Sequence, residues 1–132
     1  MNREATMQQD AVEVRINYGD IFWIAADGLI GSISGSPHPH VVVQNDVLNH
    51  SRIATVVVCS LSSNLKRASE PGVILLDAGE GGLERQSVVI ASQVSSVRKD
   101  RLGERIGALS SHRVDQVIAA LRFLQTSHFR GR

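Results

Sequence analysis

Lysine is almost missing from this chain. Among 14 basic residues only Lys66 and Lys99 are lysines, and the rest are arginines. Arginine makes two-pronged bonds to phosphate, but a GC-rich coding sequence produces the same bias, so the preference alone selects no partner. Neither sign of charge dominates, since 13 acidic residues leave a formal net charge of +1; the molecule as a whole does not advertise polyanion binding. A single cysteine, Cys59, excludes an intramolecular disulfide and any zinc site built from several cysteines. Its setting, "TVVVCSL", reads as a small buried residue in place of a reactive thiol. Nowhere is there an apolar run long enough to cross a bilayer, and "MNREATMQQD" lacks the apolar stretch of a signal peptide. A cytoplasmic protein without membrane contact is the expectation. No internal repeat or low-complexity segment is visible.

What is present fits one domain: 132 residues, 42% hydrophobic and 20% charged. Val12, Val14, Ile16 and Tyr18 alternate with Glu13, Arg15 and Asn17, the period of a half-buried strand. Gly19-Asp20 bends it, and Ile21 to Ala26 reads as a further strand, apolar on both faces. "DGLIGSISGSP" is a glycine- and serine-rich loop long enough to suggest a role in function. His40 to Gln44 reads as a strand, "NDVLNHS" as a connection with a helical turn, and Ala54 to Ser63 as a central buried strand. "NLKRASEPG" reads as a mobile loop. "VILLDAG" and "SVVIASQVSSV" are strands joined by "GEGGLER", while "RKDRLGERIG" is charged and broken by Gly103 and Gly107. Val114, Val117, Ile118, Leu121 and Leu124 then recur at helical spacing, with Ser110 or Ser111 as N-cap. Five or six short strands and a terminal helix describe a mainly β fold, a small partly closed barrel with a C-terminal α-helix packed on it.

Three stretches carry chemistry. "GEGG" precedes a strand and not a helix, so it reads as a hairpin turn and not as a phosphate cradle. Arg98, Lys99, Arg101 and Arg105 form the densest basic cluster, interrupted by Asp100 and Glu104; it suits a solvated, salt-bridged turn or an RNA contact. In "SPHPHVVVQ", Pro37 and Pro39 impose extended backbone around His38 and His40. Two residues apart on a strand, the imidazoles share a side, about 7 Å apart at Cβ. Such a pair suits acid–base work across a phosphate or the binding of a metal ion. A third ligand is not evident beyond His50, Asp46 or Asp27, and polar residues of a loop mouth would look the same.

The order of these pieces resembles the MazF/PemK family of toxin endoribonucleases. "GDIFWIAAD" resembles the family's opening strand. "GLIGSISGSPHPHVVVQND" resembles its Gly-Ser-Glu-Gln loop, then Arg-Pro, then an apolar strand ending in Asn-Asp. "ATVVVCSLSSNLK" stands where the family has an apolar strand ending in a hydroxyl residue. "GLERQSVVIASQVSSVRKDRLGERIGALS" is the strongest match, and the likeness runs from Tyr18 to Leu124.

The resemblance implies an SH3-like (MazF/PemK-like) barrel over 15–128, with an N-terminal extension at 1–14 and a basic tail at 129–132. It also implies a homodimer that cuts single-stranded RNA through its 2′-hydroxyl, with no metal and no cofactor, silenced by a cognate antitoxin. The departures fall on the chemistry. The family's catalytic arginine corresponds to His38, its catalytic threonine to Ser62, and its loop glutamate and glutamine to Ile33 and Ser34. His38, Ser62 and, as second acid or base, His40 are the expected catalytic residues. Ser32, Ser34, Gln93, Arg98, Lys99 and Arg101 are the expected RNA contacts. The alternative is a catalytically inactive module of the same fold that binds RNA or an antitoxin. A homodimer is also expected because a small barrel leaves open edges, and the helix offers Ala119, Ala120 and Phe123 beside its main stripe.

Overall fold

The structure, a computed structural model, describes residues 15–25 and 36–130, with side chains as far as 125. Its elements in chain order are β1 (Asp20–Ile24), β2 (His38–Val42), the short helix α1 (Asp46–Asn49), β3 (Thr55–Ser62), β4 (Val73–Leu76), β5 (Ser87–Arg98), β6 (Leu102–Ala108) and the helix α2 (Ser111–Arg130). The six strands form one sheet in the order β4-β5-β3-β2-β1-β6, with every pairing antiparallel. The fold is therefore mainly β with a C-terminal helix. β4 and β6 are the edges, yet the sheet curls until the turn after β4 meets β6. There a Cβ on Gly107 would collide with the carbonyl oxygen of Gly81, so only glycine lets the two backbones close the barrel-like shape.

The apolar alternation of the strands divides into two clusters, one on each face. Ile21, Val41, Cys59, Leu61 and Val89 pack under α2 against Val114 and Val117. Phe22, Ile24, Val42, Val56 and Val58 pack on the other face with Ile16. Val114 and Val117 are fully buried, and each contributes about 1.5–3 kcal/mol by leaving water. The helix starts where its cap predicts, with the Ser110 hydroxyl accepting from the Arg113 N–H at 3.2 Å. Burial pushes the Cys59 thiol up to about 12, consistent with an inert core residue. β3 is central, as its two-sided apolar run predicts.

Three local readings need correction. The strand expected over Val12–Tyr18 lies partly outside the described residues, and Arg15 to Asn17 is irregular. Asn17 instead closes a turn, its carbonyl accepting from the Asp20 N–H at 3.0 Å, with Gly19 at φ +91°. The loop expected at "NLKRASEPG" contains a 3-10 turn, Leu65–Arg67, capped by Asn64. The charged segment before the helix is β6. Its glycines and charges hide the alternation because an edge strand exposes both faces. Among the described residues no helix is long and apolar enough to cross a membrane.

Candidate active site

Pro37 and Pro39 hold His38 extended at the start of β2, paired with Ile24 of β1. At the far end of the neighbouring β3, Ser62 lies opposite Val88 of β5. Both residues line one groove of about 690 Å³, which also takes in Trp23 of β1, the β4–β5 turn at Glu84 and Arg85, and Glu104 and Arg105 of β6. His38 is exposed there. The Ser62 hydroxyl oxygen accepts from the Asn64 N–H at 3.0 Å, which leaves the hydroxyl proton free to be donated to an incoming oxygen.

His40 has a different environment. It is 3% exposed, lying between Phe22 and Ser60 on the flanking strands, and does not line the groove. Its Nδ1 is 2.9 Å from the carbonyl oxygen of His38 and its Nε2 is 3.3 Å from the Ser60 hydroxyl. A carbonyl only accepts, so Nδ1 carries the proton and Nε2 accepts from Ser60. Burial is the main cause that holds this imidazole below its ordinary value; the bond to the His38 carbonyl opposes the shift, and the charge of a protonated His38 adds to it.

Two of the expected RNA contacts are engaged locally. Arg98 clasps Asp100, with Nη2 to Oδ2 at 2.6 Å, and Lys99 donates its ammonium to the carbonyls of Asn49 and Ser51 at 3.0 and 3.1 Å, closing the end of α1. Arg98 pairs with Thr55 while Val88 pairs with Ser62, so it sits seven residues away along β3, roughly 23 Å. Arg101 lies in the 3-10 turn between β5 and β6. Gln93 is exposed where the β3–β5 register shifts between Cys59 and Ser60. Ser32 and Ser34 lie outside the described residues. Among the described residues no group of three His, Cys, Asp or Glu is placed to hold a metal ion.

Sequence reasoning missed Trp23, Arg85 and the pair Asp20–Arg105. Trp23 is 38% exposed although it sits in the middle of an apolar strand. Asp20 is only 2% exposed; its carboxylate accepts from the Asn17 N–H and, at 3.1 Å, from Arg105. A charged residue opening an apolar strand was the available signal, because a buried carboxylate demands a partner.

Residues 17–124 match the family model of the PemK-like, MazF-like toxins of type II toxin–antitoxin systems. The chain is 30% identical over 107 residues to the endoribonuclease EndoA of Bacillus subtilis, covering 81% of this chain and 91% of that protein. It is 32% identical over 107 residues to the endoribonuclease MazF6 of Mycobacterium tuberculosis, covering 81% of this chain and 94% of that one. The solved structure of MazE-MazF (Form-II) from Deinococcus radiodurans shares the fold, with a TM-score of 0.70 at 20% identity over 86% of this chain and 98% of that one.

Proposed function

Because the chain belongs to the PemK-like, MazF-like toxins of type II toxin–antitoxin systems, we propose that it is the endoribonuclease of such a pair, cutting single-stranded RNA sequence-selectively in the cytoplasm without a metal ion. The observation that supports this reading is the meeting of His38 and Ser62, from separate strands, in one groove. In the reaction the substrate's 2′-oxygen bonds to phosphorus and the bond to the 5′-oxygen breaks. Neutral His38 takes the 2′ proton, and the imidazolium so formed returns a proton to the departing 5′-oxygen. The products are a cyclic phosphate and a 5′-hydroxyl. Ser62 donates its hydroxyl proton to a phosphate oxygen and holds it in line. His40, the other candidate acid or base, has both ring nitrogens engaged inside the sheet, and we assign it to holding the His38 backbone.

Contacts with flanking nucleotides are assigned to Ser32, Ser34 and Gln93, with Arg98, Lys99 and Arg101 as further RNA contacts. The working form is a homodimer whose groove an antitoxin segment covers. Purified protein incubated with a mixed RNA pool in a chelator should yield fragments ending in cyclic phosphate, and His38→Ala should slow this roughly 10²- to 10⁴-fold. Undiminished cutting by the variant would remove His38 from the mechanism. A histidine where the family carries its arginine favours a second reading, an inactive binding module. That reading is selected if the wild-type chain cuts no RNA and its expression without antitoxin leaves growth unimpaired.

A further inference from the structure

Resting on the ribonuclease reading, we propose that Arg85 is the fixed positive charge on the scissile phosphate. The work is then divided, with proton transfer at His38 and charge stabilisation at Arg85. Attack by the 2′-oxygen places extra negative charge on the non-bridging phosphate oxygens, and a cation preset against them lowers the barrier. His38 cannot fill this part while it acts as base, because it must start neutral. The groove offers two other cations, Arg85 and Arg105. Arg105 is already compensated by the buried carboxylate of Asp20 at 3.1 Å and is tethered toward β1. Arg85 makes no side-chain hydrogen bond or ion pair among the described residues.

Its backbone is nevertheless set. The Ser87 hydroxyl donates to the Arg85 carbonyl at 3.0 Å, and Ser87 is itself buried and paired with Leu76 in the β4–β5 ladder. Arg85 also leaves the sheet three residues before Val88, the β5 partner of Ser62, so guanidinium and hydroxyl rise from adjacent strand ends. Two further groove residues, Glu84 and Glu104, are carboxylates. They keep the groove from being a general polyanion trap, so phosphate must be gripped at one point, and a guanidinium fork spanning two oxygens suits that.

The test is single-turnover cleavage of one short RNA by wild type, Arg85→Ala, Arg85→Lys and, as a control, Arg52→Ala. Affinity is measured in parallel with a 2′-deoxy version that cannot react. Arg85→Ala should lose roughly 10²- to 10³-fold in saturated rate, with a much smaller change in affinity for the 2′-deoxy strand. Arg85→Lys should recover only part of the rate, since it restores the charge without the fork. Free guanidinium, far below denaturing concentration, should partly rescue Arg85→Ala, and Arg52→Ala, an exposed arginine that does not line the groove, should cut at close to the wild-type rate. Wild-type cutting with an indifferent Arg85→Ala overturns the assignment and leaves the ribonuclease reading standing. So does a loss confined to affinity, which would make Arg85 a solvated surface charge. A wild-type chain that cuts nothing overturns both. If Arg85→Ala does not fold, Arg85→Lys alone decides, and a wild-type rate in it rejects the fork.

Discussion

The ring Nδ1 of His40 stands 2.9 Å from the carbonyl oxygen of His38, so one buried histidine holds the backbone that carries the other into the groove. The second nitrogen is occupied by Ser60. Protonating His40 would only reverse the bond to Ser60, whose hydroxyl oxygen can accept, but it would place a charge inside the sheet.

That cost sets a direction with pH. Burial, the leading cause, lowers the His40 value in the folded chain, while in the unfolded chain it lies near 6.5, the unperturbed value of about 6.5. Between the two values only the unfolded chain binds the proton, so stability is full above the unfolded value and declines as pH falls toward the folded one. Melting temperature measured from about pH 7.5 to pH 5 should fall, and fall less steeply in His40→Gln, which cannot titrate. Parallel curves for the two proteins would show that His40 is not the group responsible.

Trp23 is the chain's one tryptophan, which makes it a clean reporter. It pairs with Pro39 across β1 and β2 and presents an indole to the groove that holds His38 and Ser62. Stacking on a base is worth about 1–3 kcal/mol, so Trp23→Ala should weaken binding of a 2′-deoxy strand by roughly 5- to 150-fold, and Trp23→Phe by less. Intrinsic tryptophan fluorescence should change as that strand saturates the wild-type protein. A spectrum that stays constant through saturation would place the bases elsewhere.

Arg113, in the first turn of α2, grips Glu80 in the β4–β5 turn through two bonds, at 2.9 and 2.8 Å. The Arg113 hydrogen bond, helped by the Asp77 N–H, holds the Glu80 carboxyl below its ordinary value. The stability this supplies is present above the unfolded carboxylate value of about 4.3 and is lost as pH falls below it. Both side chains are about a quarter exposed, so the pair is worth at most about 1 kcal/mol. Urea unfolding should show Glu80→Gln weakened by that amount near neutrality, with the gap narrowing in acid. Equal stability at neutral pH would mean that the clasp contributes nothing net.

The sequence by itself determined the parts whose signals lie within a few residues. The continuous apolar run in "TVVVCSL" specifies a strand buried on both faces, Val114 and Val117 specify the buried side of α2, and two prolines specify extended backbone at His38. Each depends on neighbours along the chain, through side-chain periodicity or restricted torsions. Tertiary structure alone decided the rest. The same alternation that puts His38 and His40 on one side could not say that Phe22 and Ser60 would enclose the second and leave the first open. Nor could a run of arginines and lysine say that Asp100 would take Arg98 and the carbonyls of Asn49 and Ser51 would take Lys99 while Arg85 stayed uncommitted. β6 stayed hidden because its place depends on Gly81 meeting Gly107, residues 26 positions apart, at a distance that only the missing side chain of Gly107 permits. Which polar group meets which is set by strand register and sheet curl, and those are settled by the packing of the whole chain.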